Sequence, residues 1–262
     1  MASFKSGDLN IAYDDIRPEG GSTATVVLVH GFATSRAENW RRLGWYAAFE
    51  RKGWRTVALD LRGHGESDKP HDPAAYGRAN LMGDIIGLMD HLDLGSVDLM
   101  GYSMGARLSL ELALKHPDRV TNLILGGIGG RMLPGGAAAQ PAPTMTMAEA
   151  MQAEDPQSIT DKTLKGFRLF ADGQGEDRLA LAACSQGQGW APDVDDLYGL
   201  RMPVLVVAGS LDQMAGDPQA LADAIPGAKS VTVPACDHFS AIPHALFKAA
   251  VFDFLEGWLD EP

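Results

Sequence analysis

The sequence predicts an α/β fold on a parallel sheet. Short, β-branched, uninterrupted apolar runs recur along the chain, as in strands buried on both faces. Segments with helical apolar spacing alternate with them, and that order makes crossover units. The chain has 262 residues, 45% hydrophobic and 21% charged, which suits one large domain, or one domain carrying an insertion.

Thr25–His30 is the first apolar run and Arg55–Asp60 the second. Val97–Tyr102, Val120–Leu125, Pro203–Ala208 and Lys229–Pro234 complete the set. Between them, Arg36–Lys52 carries Trp40, Leu43, Ala47 and Ala48 at helical spacing and stops at Gly53. Asn80–Leu92 repeats Leu81, Ile85, Leu88, Met89 and Leu92, and Met104–Lys115 reads as helix until Pro117. Asp217 reads as an N-cap with Pro218 at the first helical position, and Pro243–Leu259 closes the chain. The alternation breaks between about Gly129 and Leu200, where Gly, Ala, Pro, Gln and Met dominate. Residues 129–200 are expected to form a cap or lid over a core of residues 1–128 and 201–262. Short helical patterns lie at Thr146–Gln152 and Asp161–Ala171.

The formal net charge of −12 repels phosphate backbones and anionic membranes, so neither nucleic acid nor membrane is the expected partner. Cys184 and Cys236 have no metal-type spacing and read as reduced thiols. The first residues hold no apolar signal region, and no run approaches membrane-spanning length. The expectation is a cytoplasmic protein acting on a small molecule, with no metal or other cofactor.

One junction concentrates the chemistry. The run Val97–Tyr102 leads into Gly101-Tyr102-Ser103-Met104-Gly105, and a helix pattern follows at once. A tight strand-to-helix turn brings backbone segments close, and glycine two residues either side of Ser103 removes the colliding side chains. An exposed hydroxyl results, at the positive end of a helix. A lone Gly-x-Ser-x-Gly also fits a helix-capping serine, so the context has to decide. A serine hydroxyl needs a base, and the base needs a carboxylate to hold its tautomer. His238 follows the last apolar run, whereas His244 lies at the start of the final helix and reads as surface or packing. Asp212 is the first carboxylate past Val204–Ala208, Asp217 looks like a cap, and Asp237 adjoins His238. Backbone N–H groups of Met104 and Phe32 are the expected oxyanion donors. His30 reads as a buttress, and the Gly-rich Asp60–Ser67 segment as a structural turn, because a phosphate-binding lysine and spacing are absent.

His30-Gly31-Phe32, Asp60–Ser67, Gly101–Gly105, Gly209–Asp212 and Asp237-His238, in this order, resemble the α/β-hydrolase superfamily. The resemblance implies a mostly parallel eight-stranded sheet flanked by helices, with a helical cap after strand 6. It implies Ser103 as nucleophile, His238 as base, Asp212 as acid, and Phe32 and Met104 as oxyanion hole. Ala106 departs from the third glycine of many relatives. Relatives with a carboxylate nucleophile open epoxides or cleave carbon–halogen bonds, which Ser103 argues against. The leading expectation is a serine carboxylesterase for short to medium acyl groups, with an apolar, uncharged pocket. Trp190 and Phe239 are expected substrate contacts, with Met145, Met147, Met151, Phe167, Leu169 and Phe170 as further cap candidates. Thioester, lactone and carbon–carbon hydrolysis share the machinery, as does the menaquinone-pathway lyase, which has a similar Ser-x-Gly-x-Arg around its serine. A triad-bearing ligand receptor is the non-enzymatic alternative.

Overall fold

The computed structural model describes residues 2–22, 24–136, 145–187 and 192–260. The six apolar runs become β3 (Ala24–Val29), β4 (Trp54–Leu59), β5 (Val97–Tyr102), β6 (Val120–Gly126), β7 (Val204–Gly209) and β8 (Lys229–Val233). They pair in parallel. β1 (Ala2–Ser6) and β2 (Leu9–Ile16) extend the sheet from β4 as an antiparallel hairpin. The strand order is β1-β2-β4-β3-β5-β6-β7-β8. A search for continuous apolar runs passes over β1, because Phe4 is its single buried residue.

Side chains alternate across the strands and divide the core in two. Val27, Val29, Leu99, Leu123, Leu125 and Val206 face α2 (Arg78–His91), α3 (Met104–Lys115) and α8 (Pro218–Asp223). Val26, Leu28, Met100, Ile124, Leu205 and Val207 face α1 (Trp45–Arg51) and α9 (Ala245–Leu255). The long helix expected over Arg36–Lys52 is broken. Gly44 adopts φ +76 and separates a π-helical turn, Ala37–Arg41, from α1. The last helix is shorter than its apolar pattern. His244 is its N-cap rather than part of it, its Nδ1 accepting from the Leu246 N–H at 3.1 Å.

Between β6 and β7 lie α4 (Met147–Gln152), α5 (Lys162–Gln174), α6 (Arg178–Gly187) and α7 (Val194–Leu197). The first two follow the expected patterns, and α4 opens with a Thr146–Glu149 capping box. Met151, Phe167, Ala171 and Leu181 pack among themselves and against Ala33 of the β3–α1 loop. Two adjacent carboxylates tie this segment to the rest of the chain. Both Glu176 oxygens accept from the Gly65 N–H, at 3.0 and 3.2 Å, and Asp177 Oδ2 lies 2.9 Å from His71 Nε2. Among the described residues no helix is long and apolar enough to cross a membrane.

Burial pushes the Glu176 carboxyl up to about 7, with Asp60 and Glu38 adding to the rise and the Gly65 N–H and Lys69 opposing it. A raised folded-state pKa stabilises the fold fully below the unfolded carboxyl range and loses that contribution as pH rises through about 7. Glu176→Gln keeps an acceptor for Gly65 and removes the charge. The variant's Tm should therefore exceed the wild type's at pH 8, with the difference shrinking toward pH 4.5. Melting curves of both proteins across that range check it, and a constant difference contradicts it.

Candidate active site

Ser103 sits between β5 and α3 at φ +54 and ψ −111. That backbone conformation is rare for a residue with a side chain and is characteristic of a nucleophile elbow. The flanking glycines are required. A Cβ on Gly101 would lie 2.3 Å from the Gly105 carbonyl oxygen, and one on Gly105 would lie 2.1 Å from the Val29 oxygen. Ser103 N–H donates to Gly126 O at 2.8 Å, so β6 also anchors the turn.

The loops after β7 and β8 bring Asp212 and His238 to this serine. His238 Nε2 is 2.9 Å from Ser103 Oγ, and His238 Nδ1 is 2.7 Å from Asp212 Oδ2. A carboxylate only accepts, so Nδ1 carries the proton and Nε2 is left as acceptor for the serine hydroxyl. Asp212 Oδ1 accepts from the Met214 and Ala215 N–H groups at 3.0 and 2.9 Å, which fixes the carboxylate plane. Asp237 turns away from His238. Its Oδ1 accepts from Phe239 N–H, Ser240 N–H and Ser240 Oγ, within its own turn. Hydrogen bonds within the turn hold its carboxyl below the usual range, with burial opposing. Asp217 caps α8, as its position before Pro218 implies.

Phe32 lines the same cavity as Ser103, and Met104 is the first residue of α3. The loop carrying Phe32 is held from several sides. Leu61 N–H donates to His30 Nε2 at 2.9 Å, so the proton lies on Nδ1, 2.7 Å from Gly31 O. Burial lowers His30 to about 4, so the ring is a neutral buttress. Gly31 N–H donates to Asn39 Oδ1 at 3.2 Å. Beneath the loop, buried Asp60 accepts from Arg36 N–H at 2.7 Å and Glu66 N–H at 2.8 Å and pairs with the Arg36 guanidinium. The Asp60–Ser67 segment is thus a turn whose Asp60 and Glu66 pair with Arg36 of the loop after β3.

The cavity measures about 250 Å³. Phe32, Phe167, Phe170 and Phe239 form its aromatic side, with Phe239 5.7 and 5.4 Å from the Phe167 and Phe170 ring centroids. The rest of the lining differs from the uncharged pocket expected. Glu38, Asn39 and Arg42 are part of it, with Arg42 Nε 3.0 Å from Glu38 Oε1. The π-helical turn brings them there, a geometry without a sequence signature. Tyr102, Thr34 and Gln174 are further lining residues outside the sequence expectation. Of the cap candidates, Phe167 and Phe170 reach the cavity. Met151 is fully buried among α4, α5 and α6, Met147 packs beside it, Leu169 is exposed, and Met145 is not among the lining residues. Trp190 lies outside the described residues.

Residues 24–180 match the model of the alpha/beta hydrolase fold family. The acetyltransferase component of the acetoin cleaving system of Pseudomonas putida is 34% identical over 84% of this chain, which spans 59% of that protein's length. A 2-hydroxymuconate semialdehyde hydrolase of Pseudomonas sp. (strain CF600) is 28% identical over 90% of this chain and 88% of its own. The crystal structure of an enol-lactonase from Burkholderia xenovorans LB400 superposes with a TM-score of 0.76 at 24% identity, covering 99% of this chain and all of the other. Since the family model takes in more than half of the residues, the chain belongs to the alpha/beta hydrolase fold family.

Proposed function

We propose that the protein is a serine hydrolase that cleaves carboxylic esters with short to medium acyl groups. The observation that carries this is the relay from Ser103 Oγ through both ring nitrogens of His238 to Asp212, at 2.9 and 2.7 Å, opening onto the aromatic cavity. Ser103 Oγ attacks the ester carbonyl while His238 Nε2 takes its proton. The Asp212 carboxylate stabilises the resulting imidazolium. Backbone N–H groups of Phe32 and Met104 receive the oxyanion, and each such donor is worth about 3 kcal/mol of barrier. The imidazolium then protonates the leaving alcohol, which leaves an ester on Ser103. His238 deprotonates a water that attacks this ester, and collapse of the second oxyanion returns the proton to Ser103 and releases the acid. Residues 129–200 act as the cap, and Phe167 and Phe170 select the substrate from it.

A second reading has one supporting observation. Glu38 and Arg42 place charge beside the aromatic wall. A ring-fission product carries a charged carboxylate on an apolar skeleton, and the same serine, histidine and aspartate hydrolyse a carbon–carbon bond or a lactone. The semialdehyde hydrolase likeness is compatible with this.

Ser103→Ala should reduce p-nitrophenyl ester hydrolysis to background while the far-ultraviolet circular dichroism stays that of the wild type. An active Ser103→Ala protein removes the nucleophile assignment. Asp212→Asn should lower kcat by about 10⁴-fold, and Asp237→Asn by far less. If the order of these two is reversed in steady-state assays, Asp237 is the acid. A graded acyl series should peak at a short to medium chain. Faster turnover of a dienoate or lactone than of every ester favours the second reading.

A further inference from the structure

Tyr102 precedes Ser103 in the chain and, in space, also reaches His238. Its hydroxyl donates to the His238 carbonyl oxygen at 2.6 Å, and the two ring centroids are 5.5 Å apart. The side chain is buried, and burial, with the nearby Asp212 and Asp237 carboxylates, raises the phenol well above its usual range, so it remains a donor. Its seat is built around it. A Cβ on Gly126 would lie 2.7 Å from Tyr102 Cδ2, and one on Gly127, at φ +66, 2.9 Å from Tyr102 Cζ and 3.2 Å from His238 Cε1. Phe247 closes the other side at 6.1 Å between centroids.

We infer that Tyr102 is a positioning residue, a rigid strut that sets the distance between Ser103 and His238. The backbone end of the strut is bonded to the serine, and its hydroxyl holds the backbone of the histidine. A phenol ring has two torsions, and here two glycines and Phe247 confine both. The nucleophile and base come from loops after different strands, β5 and β8, which are not neighbours in the sheet. A direct link between them keeps their separation independent of movements of either loop. The inference rests on the serine-hydrolase reading for its catalytic consequence, and on geometry alone for the link.

The test is Tyr102→Phe, which keeps the ring and removes the hydroxyl. The readouts are steady-state p-nitrophenyl ester kinetics, the pH profile of kcat, and the downfield proton NMR resonance of His238 Nδ1–H. We expect kcat to fall by about ten- to a hundred-fold with KM nearly unchanged, because misplaced reacting groups lose rate rather than binding. The imidazole resonance should shift or broaden, and the acidic limb of the pH profile should move with it. A Tyr102→Phe resonance with the wild-type position and width overturns the strut, whatever the activity. A changed resonance with no ester turnover in either protein leaves the strut standing and removes the esterase reading. Should Tyr102→Phe fail to fold, Phe247→Leu loosens the same ring and is judged by the same resonance.

Discussion

The close approach of α3 to the sheet is the constraint on which the site depends. The Gly101 and Gly105 backbones approach each other, and the Gly105 backbone approaches β3 at Val29, with no room for a single Cβ. Only glycine permits such contact, and the contact forces the intervening Ser103 into its uncommon backbone conformation. The apolar packing of β5 and α3, from Leu99 to Leu112, offsets the strain. The hydroxyl is thereby held at the carboxyl edge of the sheet, where the loops after parallel strands converge.

Those loops are supported from below by buried polar groups. Arg36 pairs with Asp14, Asp60 and Glu66 with its side chain almost wholly buried, and Arg62 forms a two-pronged bond to buried Asp84 at 2.6 and 2.7 Å. Burying such pairs yields little net stability, but removing one partner strands the other charge at a cost of about 3–5 kcal/mol. The pairs therefore specify one loop arrangement and penalise the rest. Gly65 belongs to the same device. A Cβ there would lie 2.2 Å from Asp60 Oδ2, and its N–H holds Glu176. The ionic centre beneath the loop that carries Phe32 and the Gly65–Glu176 contact to the segment between β6 and β7 are thus one continuous network.

The cavity joins the two halves of this arrangement. Phe32 from the loop after β3 and Phe167 from α5 meet edge to face at 5.9 Å, so the aromatic lining is shared between two segments far apart in the chain. The π-helical turn adds Glu38 and Asn39 to the same lining, and Arg42 just beyond it adds a cation.

Much of the centre was legible because it follows from local rules. Uninterrupted apolar runs marked six strands, and parallel strands place all their following loops on one edge. Ser103, Asp212 and His238 each came directly after such a run, so their convergence followed from the fold class. Gly101 and Gly105 had a steric meaning in the sequence itself. Other features were decided only in three dimensions. β1 buries only Phe4, and the buried Ile11, Ala12 and Tyr13 of β2 are a short run between Asn10 and Asp14, so neither strand forms a long apolar run, and Gly44 split a pattern that reads as one helix. Which residues of the segment between β6 and β7 face the cavity depends on how α4, α5 and α6 pack around Met151 and Leu181, and apolar spacing gives a helix a buried side without naming its neighbour. Glu38, Asn39 and Arg42 entered the cavity wall, and Tyr102 bridged two loops 136 residues apart, through contacts that no local periodicity encodes. The sequence by itself determined the six parallel strands, the order of Ser103, Asp212 and His238 after them, and the glycines that make room for the Ser103 turn. The tertiary structure decided the cavity walls, which residues between β6 and β7 reach them, and the links between loops, because these arise from packing between segments distant in the chain.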